Sequence, residues 1–164
     1  MNNKTRKLTT LAMIVSLALI LSFIESRIPA FVAIPGVKVG LANIAVIFTL
    51  YKLGTKEAIL ISALRIVLVS LLFGNPVSLI YSLAGGVLSF VAMFLLKKYT
   101  TLSETTISVV GGVMHNVGQI ATASVMLSTN VVVYYLPFLI LSGTIAGIAV
   151  GIAAALLIKR VKLN

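Results

Sequence analysis

The sequence predicts an all-α integral membrane protein: six transmembrane helices in one domain over residues 1–164, with both termini cytoplasmic. Three observations predict it. Apolar residues make up 60% of the chain and charged residues 10%, against about 45–50% and about 25% in soluble domains, so there are too few charges to clothe a water-facing surface. Six apolar segments follow one another along the chain. The basic residues, thirteen Lys and Arg against three Glu, fall mostly in short runs between those segments rather than on one shared face. That arrangement fits membrane topology and not nucleic-acid binding.

The first segment, residues 8–24, follows MNNKTRK and so imitates a secretory signal. It ends at FIESRIP without a small-residue cleavage pattern, and more apolar segments follow, so it reads as a retained first span. The second, residues 39–51, is short and has Gly40 at its start. A span needs about 17–25 residues at about 1.5 Å each, so this segment crosses only with flanking residues or where protein covers its ends. The third (58–73) and fourth (77–96) reach or nearly reach that length, and the fifth (106–127) does so comfortably. The sixth, residues 131–158, is long enough for its first residues to form a separate outer turn, stopped by Pro137.

Charge supports this order. With the N-terminus inside, the inner stretches carry Lys4, Arg6, Lys7, Lys52, Lys56, Lys97, Lys98, Lys159, Arg160 and Lys162, ten of the thirteen basic residues. Only Arg27 and Lys38 fall in an outer loop, and Arg65 lies within a segment, as the positive-inside tendency requires. In the sixth segment, Gly143, Gly147 and Gly151 recur four apart on one face, which lets helix backbones approach closely. Gly85-Gly86 and Gly111-Gly112 are further candidate packing positions. These faces serve either packing within the bundle or docking of a partner subunit.

Polar groups in hydrocarbon face the bundle interior or a cavity, because each costs several kcal/mol if unpaired. That filter selects Arg65 in the third segment, His115, Asn116 and Gln119 in the fifth, Asn43 near the outer end of the second, and Asn75 in FGNP. Arg65 lies eight residues below Phe73, and Gln119 eight below Leu127, so each sits about 12 Å from the outer end of its helix. One polar-lined pocket in the outer half explains the matching depths. Arg65 is either a ligand contact, directly or through Glu25, or a structural arginine neutralised by Glu25. His115 is either a ligand contact or a satisfied buried group. The stretch ESRIPAFVAIPGVKVGLAN reads as a semi-rigid cap over the pocket mouth. Pro29 and Pro35 break helix, Gly36 and Gly40 permit turns, Arg27 and Lys38 add positive charge, and Ile28, Phe31, Val32 and Ile34 are apolar. The same residues would suit anchoring at the membrane interface.

Several function classes are excluded. The chain has no cysteine and no aspartate, so it offers neither thiol chemistry nor an aspartate-rich magnesium site. One histidine with three glutamates makes a metal site improbable, and no cofactor is indicated. No P-loop pattern occurs, and no Ser-His-Asp arrangement is possible, so no enzyme is expected.

ESRIPAFVAIPGVKVGLANIAVIFTLYKLG, ALRIVLVSLLFGNPVSLIYSLAGGVLSF and GGVMHNVGQI together resemble the bacterial membrane family called "Gx transporter", also labelled "heptaprenyl diphosphate synthase component I". The resemblance covers essentially the whole chain. That family also looks like the substrate-binding S components of energy-coupling-factor transporters. This likeness implies an S-component-like bundle that imports a small molecule, with a transmembrane coupling protein and ATPase subunits as partners and membrane lipid around it. The ligand implied by the label is isoprenoid- or quinone-related, or vitamin-like. Arg65 would then anchor an anionic or carbonyl group, and His115, Asn116 and Gln119 would supply hydrogen bonds. Asn43 and Asn75 would line the mouth, with Glu25 and Arg27 orienting the cap. Ala12 and Ser16 would take the place of the paired alanines that dock the coupling protein on the first helix. The alternative is a non-catalytic membrane scaffold for a prenyl diphosphate synthase. A stand-alone ion-coupled carrier is disfavoured by small size and the missing inverted repeat.

Overall fold

A computed structural model describes residues 2–27 and 40–161. The described chain is a bundle of six α-helices: α1 (Asn3–Arg27), α2 (Asn43–Lys52), α3 (Thr55–Phe73), α4 (Pro76–Tyr99), α5 (Glu104–Met126) and α6 (Leu136–Arg160). A 3₁₀ turn at Val131–Tyr135 leads into α6, and Pro137 occupies the first turn of that helix, where its missing N–H costs nothing.

The expectation of six transmembrane helices is corrected. Three stretches are long and apolar enough to cross a membrane: Lys4–Arg27, Pro76–Tyr99 and the continuous Val131–Arg160. Helix α2 has only ten residues, about 15 Å of rise against about 30 Å of hydrocarbon. Helix α3 spends Lys56, Glu57 and Arg65 within nineteen residues, and α5 carries Glu104, His115, Asn116 and Gln119. Polarity, not length, sets these two apart. The protein is nevertheless a multi-pass membrane protein. Its outer surface is apolar along α1, α3, α4 and α6, while Ser62, Arg65, Ser89, Ser108, His115, Asn116 and Gln119 are buried inside. That inversion suits a hydrocarbon solvent.

Two layers make the bundle. Helix α5 lies between α4 and α6 and packs closely on both, while α1, α2 and α3 form a second layer that meets the first along α2–α6 and α3–α4. Glycine explains the tight layer. A methyl group at Gly147 would lie 2.6 Å from Val109 Cα, one at Gly151 2.7 Å from Thr105 Cα, and one at Gly143 3.1 Å from the Gly112 carbonyl oxygen. On the other side of α5, a Cβ at Gly118 would sit 2.8 Å from the Ala84 carbonyl oxygen. Backbone meets backbone on both faces, as small residues at helix crossings allow.

Two apolar clusters divide the interior. The larger joins Ile14, Ala18, Val46, Ile47, Leu50, Ile61, Met93, Ile107 and Val150, with Leu11, Leu96, Leu157 and Val161 packed against it. The smaller joins Tyr81, Ile120, Ala123, Val132 and Leu139 at the opposite end. The first turns of α1 and the last of α6 therefore share one end of the bundle. That end is basic. Lys7 bonds to Glu57, and this bond holds the Glu57 carboxyl below its usual range. Lys97 donates to the Leu50 carbonyl and lies over the Tyr51 ring at 4.8 Å.

Local signals set the helix ends. At α4, Asn75 Oδ1 accepts from Ser78 N–H at 2.8 Å while Ser78 Oγ accepts from Asn75 N–H at 3.2 Å, a reciprocal capping box followed by Pro76. Replacing Asn75 by alanine should cost about 1 kcal/mol of stability. Thermal unfolding in micelles checks this, and an unchanged midpoint would mean that the cap contributes nothing.

Candidate functional site

Between the two apolar clusters the layers meet along a polar seam. Glu25 sits in the last two turns of α1 and is 6% exposed. Its carboxylate accepts from the Gly40 N–H, which ties the end of α1 to the approach to α2. Gly40 adopts φ +88°, a left-handed conformation that disfavours any side chain, and a Cβ there would meet Asn43 Nδ2 at 3.0 Å.

Arg65 reaches into the seam from α3 and His115 from α5, and with Glu25, Gly40, Ser22 and Ser82 they line one cavity of about 20 Å³. Ile66 and Val69 supply its apolar wall. Arg65 is 8% exposed, and its Nε–H has no hydrogen-bond acceptor among the described residues. The Glu25 carboxylate acts on it electrostatically across the cavity. His115 fits because Gly85 faces it: a Cβ on Gly85 would lie 2.8 Å from the His115 carbonyl oxygen and 3.0 Å from ring atom Cε1. A second cavity of about 10 Å³ lies farther along the seam. Gly40 borders both cavities, and Asn43, Met93, Ser108 and Gly147 line the second. The hydroxyls of Ser108 and neighbouring Ser89 are buried without hydrogen-bond partners among the described residues.

Of the residues the sequence singled out, Glu25, Arg65 and His115 thus share one cavity. Gln119 lies one turn beyond His115 on α5 and is fully buried. Asn116 turns toward α6, where Nδ2 donates to the Leu139 carbonyl at 2.7 Å. Asn43 lines the second cavity from the first residue of α2. Asn75 is exposed and occupied with capping α4. Arg27 is exposed too, its guanidinium 4.9 Å above the Phe23 ring, which in turn packs on Phe73 with centroids 5.3 Å apart. Ala12 and Ser16 are exposed on α1, with the Ser16 hydroxyl donating to the Ala12 carbonyl at 2.9 Å. Gly143, Gly147 and Gly151 face α5. The cap stretch with Ile28, Pro29, Phe31, Val32, Ile34, Pro35, Gly36 and Lys38 lies outside the described residues. No group of three His, Cys, Asp or Glu that could hold a metal ion occurs among the described residues.

Ser22, Ser82, Ser89 and Ser108 escaped the sequence reading. Serine in an apolar helix commonly bonds to its own backbone, so composition alone does not mark it. The usable signal is register: Ser82 and Ser89 stand seven apart on α4, the side that meets the seam.

A profile of the family described as heptaprenyl diphosphate synthase component I matches residues 14–157. No curated protein and no solved structure matches the chain. The likeness to energy-coupling-factor S components has no match of its own, and the matched family is described as a synthase component. The importer reading is therefore corrected, together with its coupling-protein and ATPase partners. With all but the two ends of the sequence matched, the chain belongs to the heptaprenyl diphosphate synthase component I family.

Proposed function

We propose that this protein is the membrane-embedded, non-catalytic partner of a prenyl diphosphate synthase, holding a second, soluble component at the bilayer. The observation that carries this reading is the family match over residues 14–157, whose description names one component of such a synthase. Its chemistry supports a non-catalytic role. Prenyl-chain elongation on diphosphates relies on aspartate-held magnesium, and this chain has no aspartate. Anchoring follows from the apolar exterior. A growing isoprenoid gains about 0.8 kcal/mol for each CH₂ that enters hydrocarbon, so a synthase seated at the membrane delivers its product where it partitions. The basic end, with Lys7, Lys97 and Arg160, faces the cytoplasm under the positive-inside tendency, and both described chain ends lie there. The second component docks from that side.

Purification of the tagged protein from its own membranes in mild detergent, followed by mass spectrometry of what co-purifies, tests the proposal. A prenyl synthase subunit in stable amount is the expected result. Reconstituted with that subunit, the protein should shift product formation to the membrane fraction and show no prenyl transfer alone. Recovery of coupling proteins and ATPases with no synthase would overturn the reading.

A further inference from the structure

We infer that the Arg65 cavity holds an uncharged oxygen acceptor, the carbonyl or hydroxyl oxygen of an apolar molecule or a water, and rejects a phosphate or diphosphate head. This concerns the seam alone and stands whether or not a synthase binds the protein. Arg65 is more than nine-tenths buried, lines the cavity, and presents an Nε–H with no acceptor among the described residues. A buried donor left unsatisfied is costly, and more so for a charged group, so an acceptor from outside the described residues completes the site. Size limits what that acceptor is. The cavity offers about 20 Å³, where one water needs about 10–15 Å³ on this measure. One oxygen fits inside it, and a whole diphosphate does not.

Charge gives the same answer. Glu25 faces the same cavity and already offsets the arginine. A diphosphate would bring several negative charges against a carboxylate in a low-dielectric interior, a burial that is heavily penalised. The hydroxyls of Ser22 and Ser82 can orient a neutral oxygen, and Ile66 and Val69 give it an apolar wall. The second cavity repeats the pattern on a smaller scale. Ser108 lines it, is 2% exposed, and has no partner for its hydroxyl among the described residues. Two cavities in one seam thus each pair a buried polar group unsatisfied among the described residues with room for about one oxygen.

The protein in lipid nanodiscs tests this with two readouts. Hydroxyl-radical footprinting by pulsed X-rays oxidises side chains beside bound water even when they are buried. Thermal unfolding reads binding of farnesol or of inorganic diphosphate. If water is the acceptor, Ile66 and Val69 label several-fold faster than the similarly buried Ile14 and Ile120 after correction for intrinsic reactivity, and farnesol changes nothing. If an apolar molecule supplies the oxygen, farnesol raises the midpoint by several degrees, and Arg65→Lys abolishes that shift. Should Arg65→Lys fail to fold, Ser82→Ala carries the comparison, because it removes a cavity hydroxyl and leaves the charges alone. Labelling no faster than at Ile120 together with no response to farnesol would overturn the inference. So would stabilisation by inorganic diphosphate that disappears in either variant.

Discussion

Replacing Glu25 by alanine is expected to destabilise the fold by about 3–5 kcal/mol, because it leaves the arginine at position 65 as an uncompensated buried charge. Both side chains are buried against the same cavity, and no other acidic residue lines it. Two effects contribute, and they separate experimentally. Glu25→Gln keeps an oxygen that can accept from the Gly40 N–H and removes only the charge. Glu25→Ala removes both. The double variant Glu25→Leu with Arg65→Met should recover much of the loss, since replacing a buried ion pair by apolar groups of similar volume is often neutral or stabilising. Unfolding of the four proteins in mixed micelles, followed by circular dichroism, measures the series. A loss below about 1 kcal/mol in Glu25→Ala, the range of an exposed pair, would mean that the arginine is neutralised by something other than Glu25.

The second large effect belongs to the glycines of α6. Gly147→Ala places a Cβ 2.6 Å from Val109 Cα and 3.0 Å from the Ser108 carbonyl oxygen. Both neighbours are backbone, so no rotamer change relieves the clash and the two helices must part. A cost of about 1–3 kcal/mol is expected for alanine, with valine at the same position preventing stable packing of α6 on α5. Ile145→Ala on the same helix is the control. That side chain is 62% exposed, so its loss should change protein stability by no more than about 0.5 kcal/mol. Protection of the α5 amides in hydrogen exchange reads the result locally. Equal protection in Gly147→Val and wild type would show that the layer tolerates separation.

Much of the seam was legible because its members are out of place in apolar helices. Arg65, His115 and Gln119 stood out for that reason, and the cost of burying Arg65 pointed to Glu25 as its partner. The four-residue recurrence of Gly143, Gly147 and Gly151 announced a close helix contact, although nothing in the spacing named α5 as the helix contacted. Two things were hidden. Hydropathy averaged over a segment treats α3 as lipid-soluble, whereas Lys56, Glu57 and Arg65 make it a helix that depends on its neighbours. The division into two layers was invisible as well, because it depends on which glycine faces which backbone and not on how many there are. Asn116 illustrates the same limit. It differs from His115 by one position, yet that rotation of about 100° turns it from the seam to the Leu139 carbonyl.

The layered arrangement also bears on how the chain is made. Glu25 and Arg65 both belong to the layer of α1, α2 and α3, so both have been synthesised before α4 leaves the ribosome. The nascent chain therefore carries the counter-charge for its one intramembrane arginine during insertion, and needs nothing from its second half to lower the cost of that charge. The glycine-packed half, arriving later, brings no lysine or arginine between Pro76 and Leu96 or within α5. Biogenesis thus proceeds from an electrostatically self-sufficient first half to a second half that assembles by close fit.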